Sequence, residues 1–176
     1  MPYLFSDKEQ IQRTVAGRIG QELKDTYLKQ GIVWSGLYFR GNRQLTTNRM
    51  VKTPADLKGM KLRLPETPDW LVVWKAFGTL PTPIPSPEIF GSLQTGVVEA
   101  QENPVSSNYN AKLWEEQKYM VMTNHIVDMH AYLLSKKFLD GLSDANRQLV
   151  QKAVEESLAW STKFSFDAEE KLIKEM

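Results

Sequence analysis

Cysteine is absent from the 176 residues, which excludes disulfides and thiolate metal sites and fits either the cytosol or a bacterial periplasm. Histidine is nearly as scarce. The two present, His125 and His130, stand in one strand-like run with an odd offset, so they point to opposite faces and cannot share a metal through local spacing. No charge of one sign dominates: 22 basic and 21 acidic residues leave a formal net charge of +1. Without a basic run interleaved with aromatics, no nucleic-acid partner is expected. No apolar run approaches the roughly 20 residues of a membrane span. The opening Met1-Pro2-Tyr3-Leu4-Phe5-Ser6-Asp7 has neither a charged n-region nor an apolar h-region, so no export signal is expected within the chain. Nucleophilic catalysis also lacks its parts. There is no Gly-x-Ser-x-Gly elbow, and Gly17-Arg18-Ile19-Gly20 sits in a helical pattern without a Walker lysine. No catalytic residue, cofactor or metal is therefore expected.

What is present is enough for a packed core: 41% hydrophobic and 10% aromatic residues, in a length that suits one domain or two small lobes. Asp7 can cap a helix over 8–30, with Ile11, Val15, Ile19 and Leu23 on one face and Gly31 as its stop. A strand is predicted over 32–39, then a polar turn over 41–48. Thr53-Pro54 opens a single helical turn, followed by a strand over 60–64 and a helix over 68–77. Pro81, Pro83, Pro85 and Pro87 punctuate an extended link before a helix over 88–94 and a strand over 97–101. A helix over 106–117, extended pieces over 119–123 and 125–135, and a long helix from Ser143-Asp144 to Met176 complete the pattern. Alternation of this kind predicts an α/β fold with a largely parallel sheet.

The chemistry concentrates between Lys58 and Pro104. In Lys61-Leu62-Arg63-Leu64 the leucines face a core and the cations face the other way. That pattern fits a solvated strand face. It also fits an arginine at the carboxyl end of a parallel strand, where α/β sheets place their ligand crevices. A guanidinium suits a carboxylate because its planar fork makes two parallel hydrogen bonds. Asn103 is placed similarly, with Pro104 stopping the ladder beyond it; it is either a turn residue or an uncharged donor to a carboxylate or hydroxyl.

Gly59-Met60-Lys61-Leu62-Arg63-Leu64-Pro65, Pro81-Thr82-Pro83, Ser92-Leu93-Gln94-Thr95-Gly96-Val97-Val98 and Gln101-Glu102-Asn103-Pro104 resemble the substrate-binding proteins of TRAP transporters, the DctP-type solute receptors. The resemblance extends through Gly41-Asn42-Arg43-Gln44, Thr53-Pro54-Ala55-Asp56-Leu57-Lys58-Gly59 and Tyr119-Met120-Val121-Met122-Thr123-Asn124-His125, covering essentially the whole chain. It implies a two-lobed clamp like a type II periplasmic binding protein, which closes on an organic acid and delivers it to a membrane permease. It implies a periplasmic location, a monomer, and no chemistry on the ligand.

Residue by residue, the resemblance makes Arg63 the substrate-carboxylate arginine, Arg43 a second arginine of the same site, and Asn103 the asparagine completing the carboxylate pocket. Glu102 and His125 match a supporting pair linked to the main arginine, while Arg49 reads as a solvated or structural charge. Two positions depart from sialic-acid-binding members: Glu66 stands where they carry Asn, and Ser86 where they stack an aromatic. Trp70 either replaces that lost apolar surface or belongs to the core. Together these departures point to a hydroxylated monocarboxylate, a uronate or aldonate, rather than a C4-dicarboxylate or 2-oxo acid. A small α/β enzyme of sugar-acid metabolism using Glu66, Glu102 or His125 is the competing class. By resemblance, 1–40 belongs to one lobe, 41–128 to the other, and 129–176 returns to the first through a long hinge-crossing helix. Family members are longer at both ends, so the chain is expected to lack N-terminal strands and a C-terminal tail, to bind weakly by itself and to aggregate.

Overall fold

A computed structural model describes residues 1–176. Asp7 opens α1 (Lys8–Ala16), its carboxylate accepting the Gln10 N–H at 2.6 Å. The single helix predicted over 8–30 is two helices, because the backbone is extended at Gly17 before α2 (Arg18–Lys29) begins. Gly20 permits the break: a Cβ there would lie 1.9 Å from the Val15 carbonyl oxygen, so only glycine lets the end of α1 fold onto α2. Gly31, at φ +76°, stops α2.

Next comes β1 (Ile32–Thr47), which runs through the predicted polar turn at 41–48. Its polar side chains there are buried and hydrogen-bonded to neighbouring strands, which removes the cost that would otherwise end the strand. A one-turn 3-10 helix (Pro54–Leu57) leads into β2 (Lys61–Leu64), α3 (Pro68–Ala76) and β3 (Leu80–Pro83). The prolines predicted as an extended link thus supply an edge strand, where a missing N–H is tolerated, followed by a 3-10 turn at Ser86–Glu88. After α4 (Ile89–Gln94), β4 (Ala100–Pro104) starts later than predicted and contains Asn103 rather than ending before it. The helix predicted over 106–117 shrinks to α5 (Val105–Asn110) and a 3-10 turn at Leu113–Glu115. The two extended pieces after it form one strand, β5 (Tyr119–Ser135). Then come α6 (Lys136–Asp140) and the 32-residue α7 (Asp144–Glu175).

The sheet order is β3-β2-β4-β1-β5. Strand β2 runs parallel to β3 and β4, whereas β1 runs antiparallel to β4, so the sheet is mixed rather than largely parallel. The chain forms two compact units, one of Met1–Leu4, Asn42–Ile126 and Glu169–Met176, the other of Phe5–Gly41 and Val127–Ala168. Strands β1 and β5 and helix α7 each pass from one unit into the other. The core of the first packs Leu45, Met60, Leu62, Leu64 and Trp74 together. The core of the second is built on Ile11, Phe39 and Val127. All the residues of the candidate site lie in the first unit.

Candidate carboxylate-binding site

Arg63 is held by β2. Leu62 and Leu64 enter the core as their alternation predicts, and both are fully buried. Arg63 faces the other way yet is only 4% exposed, which sets aside the solvated strand face. Its Nε donates to the Ile84 carbonyl oxygen at 2.8 Å, and this is its only hydrogen bond to the protein. Both terminal amines lack a protein acceptor, and no carboxylate lies within ion-pair distance. Burial pushes the Arg63 pKa below the ordinary arginine value, aided by the Arg43 charge and opposed by Glu102. A guanidinium with two unused terminal amines has the donor set that a planar anion needs.

Arg43 differs. From β1 it reaches across to β4, where Nε meets Glu102 Oε2 at 2.6 Å and Nη2 meets Oε1 at 3.0 Å. Nη2 also contacts the Glu102 carbonyl oxygen at 2.8 Å and Asn103 Oδ1 at 2.9 Å. The Trp70 ring centroid lies 4.8 Å from the guanidinium carbon, a cation–π contact. His125 Nε2 donates to Glu102 Oε2 at 2.8 Å, and its Nδ1 lies 2.7 Å from Thr123 Oγ1. Burial alone would raise the Glu102 pKa. The Arg43 charge and the hydrogen bonds from His125 and Arg43 overcome it and hold the carboxyl below its ordinary range. Glu102, expected with His125 to support the main arginine, hydrogen-bonds Arg43 instead, which β1 sets opposite Pro104, two residues beyond Glu102; it reaches Arg63 only through its charge.

Asn103 is half-buried and shares a sheet face with Arg63. Arg63 stands opposite Gln101 in the β2/β4 register, and Asn103 follows two residues on. Trp70 is half-buried against Arg43; the core tryptophan is Trp74, 1% exposed and edge-on to His125 with ring centroids 5.0 Å apart. Glu66 and Ser86 are exposed, and neither side chain makes a protein hydrogen bond. Arg49 donates to the Lys58 carbonyl oxygen at 3.3 Å, outside this group. The buried amides Gln44, Gln101 and Asn108 carry no shared signal in the sequence, since they fall in a predicted turn, strand and helix respectively. No group of His, Asp and Glu residues could hold a metal ion, and no helix is long and apolar enough to cross a membrane.

The family described as bacterial extracellular solute-binding protein, family 7, the DctP family, matches residues 1–176. The chain belongs to this family. Among its relatives, the 2,3-diketo-L-gulonate-binding periplasmic protein of Escherichia coli K12 is 32% identical over 177 residues, covering 100% of this chain and 54% of that protein. A TRAP periplasmic solute-binding protein of Sulfitobacter sp. NAS-14.1, solved with β-D-galacturonate, superposes with a TM-score of 0.90 at 28% identity, covering 98% of this chain and 58% of that one. One from Shewanella oneidensis, solved with succinate, gives a TM-score of 0.89 at 31% identity, covering 98% and 57%. The chain thus spans about half the length of the DctP-family proteins it matches. The resemblance to DctP-type receptors extends over all 176 residues, and the fold is that of TRAP solute-binding proteins, whose members bind rather than transform their ligands.

Proposed function

We propose that this chain carries the carboxylate-binding part of an extracytoplasmic solute receptor that captures a sugar acid, a uronate or aldonate, and presents it to a TRAP-type membrane permease. The observation that carries the proposal is the buried Arg63 with both terminal amines unused, beside an Arg43 already matched by Glu102. An incoming carboxylate replaces water on the Arg63 fork and supplies the counter-charge that the protein withholds. Asn103 adds an uncharged donor from the same sheet face. Arg43 acts from behind, keeping Asn103 in place, and Trp70 covers it. Exposed Glu66 offers acceptors to sugar hydroxyls and repels a second carboxylate. The relatives named for diketogulonate and galacturonate support the sugar-acid class.

Binding then shifts an equilibrium between an open and a closed clamp, in which 1–40 and 129–168 serve as one lobe and 41–128 as the other. The receptor works in the periplasm as a monomer, without cofactor. The relative holding succinate favours a second reading, a C4-dicarboxylate receptor. The test is a thermal-shift panel on the full-length protein with uronates, aldonates, C4-dicarboxylates, 2-oxo acids and neutral sugars. Ligand at a hundred times its dissociation constant adds about 2.7 kcal/mol, raising the melting point by several degrees. A response confined to sugar acids supports the proposal. A response confined to succinate-like acids supports the second reading, and turnover of a ligand supports the enzyme.

A further inference from the structure

We propose that Gln101 is a positioning residue that fixes which end of the Asn103 amide meets a bound carboxylate, through a one-way chain of hydrogen bonds whose direction Arg43 sets. The proposal rests on the reading of Asn103 as part of the carboxylate pocket.

A guanidinium can only donate, so the Asn103 atom 2.9 Å from Arg43 Nη2 must be the carbonyl oxygen Oδ1. The amide nitrogen therefore points the other way and donates to Gln101 Oε1 at 2.6 Å. Having presented its oxygen, Gln101 must donate from Nε2, and it does so twice, to Thr46 Oγ1 at 2.6 Å and to Asn108 Oδ1 at 2.8 Å. Thr46 passes the direction on, its hydroxyl donating to Gln117 Oε1 at 3.0 Å. Asn108 closes the group by donating from Nδ2 to the backbone carbonyl oxygen of Asn103 at 3.4 Å. Turning over either the Asn103 or the Gln101 amide would set donor against donor or acceptor against acceptor. Gln101 and Asn108 are fully buried, so water cannot repair such a clash.

The consequence falls on the ligand. An unconstrained asparagine amide can turn either end toward an empty pocket and must then be reoriented before it donates to an anion. Here the oxygen is held by Arg43 and one amide hydrogen by Gln101, which leaves the second hydrogen as the only uncommitted donor. Arg63, opposite Gln101 in the sheet, projects from the same face. Gln101 thus touches no ligand but makes Asn103 a donor only, the polarity that a carboxylate requires.

The test is a double-mutant cycle read by calorimetry on the full-length protein, with D-galacturonate and L-galactonate as probes. Gln101→Met, close in volume but without the amide, is expected to weaken the better-bound acid about tenfold, the value of one hydrogen bond to a charged group. In an Asn103→Ala background the same change is expected to cost less than about twofold, because no amide remains to be oriented. If Gln101→Met does not fold, Thr46→Val takes its place, removing one anchor of Gln101; its smaller loss, about threefold, must vanish likewise in Asn103→Ala. Equal losses in both backgrounds, or unchanged affinity on replacing Gln101, would overturn the proposal. A parent protein that binds neither acid would overturn the sugar-acid reading, and this inference with it.

Discussion

Arg43 and the Glu102 carboxylate meet through two hydrogen bonds, at 2.6 and 3.0 Å, on the adjacent strands β1 and β4, while Arg63 on β2 meets no carboxylate at all. Two buried arginines with one buried glutamate leave one cation to be matched from outside. This unequal treatment of the two arginines supports the proposal that Arg63 is the binding charge and Arg43 a structural one.

Glu102→Gln is expected to destabilise the protein by about 3–5 kcal/mol, because it removes the counter-charge of a buried guanidinium and turns one of the two oxygens that accept from Arg43 and His125 into a donor. The pH dependence follows from the direction of the Glu102 shift. Its carboxyl is depressed below its ordinary 4.5, so its stabilisation is complete above that value and is lost as pH falls through the depressed one. Urea unfolding at a series of pH values should show the parent losing stability below about pH 4.5 more steeply than Glu102→Gln.

Arg63→Met is expected to do the opposite. Removing a buried cation that lacks a protein counter-ion should raise the stability of the unliganded protein by about 1 kcal/mol or more, while abolishing acid binding. Parallel denaturation and binding measurements check this, and a destabilised Arg63→Met would mean that the arginine is structural.

Trp70→Ala removes the ring lying over Arg43 and should cost about 0.5–2 kcal/mol of stability. Because Arg43 is already bound to Glu102 and Asn103, acid affinity should fall less than it does on changing Arg63. The two effects are separable by chemical denaturation and calorimetry on the same sample.

Asn124→Ala tests the irregular residue of β5. Asn124 sits at φ +44°, and Gln44 grips it twice, with Nε2 donating to Asn124 Oδ1 at 2.7 Å and Oε1 accepting from Asn124 N at 2.9 Å. Alanine keeps the strained backbone and loses a side-chain acceptor, at an expected cost of about 1–3 kcal/mol. An unchanged melting point would show that the Asn124 side-chain oxygen contributes nothing to holding this residue.

The motifs around Arg63 and Asn103 were legible because their signals are local: alternating leucines place Arg63, and proline ends the strand after Asn103. The strand through 41–47 was not legible, since Arg43, Gln44 and Thr46 look like turn residues until Glu102, Asn124, Gln101 and Gln117 are brought against them from distant parts of the chain. The same long-range pairing hid the partner of Glu102. The break in the first helix depended on one glycine whose missing Cβ matters only once α1 and α2 touch. The apparent gap between 119–123 and 125–135 did mark a real irregularity, Asn124, within a continuous strand.

The most direct measurement is calorimetric titration of a sugar acid, D-galacturonate or L-galactonate, into the full-length protein and into Arg63→Lys. Lysine keeps the positive charge and loses only the planar fork. A loss of affinity of about tenfold to a hundredfold, in a variant that unfolds at nearly the parent temperature, is the predicted result. Equal affinity in the two proteins would mean that Arg63 does not hold the carboxylate through paired hydrogen bonds, and the site would have to be sought elsewhere.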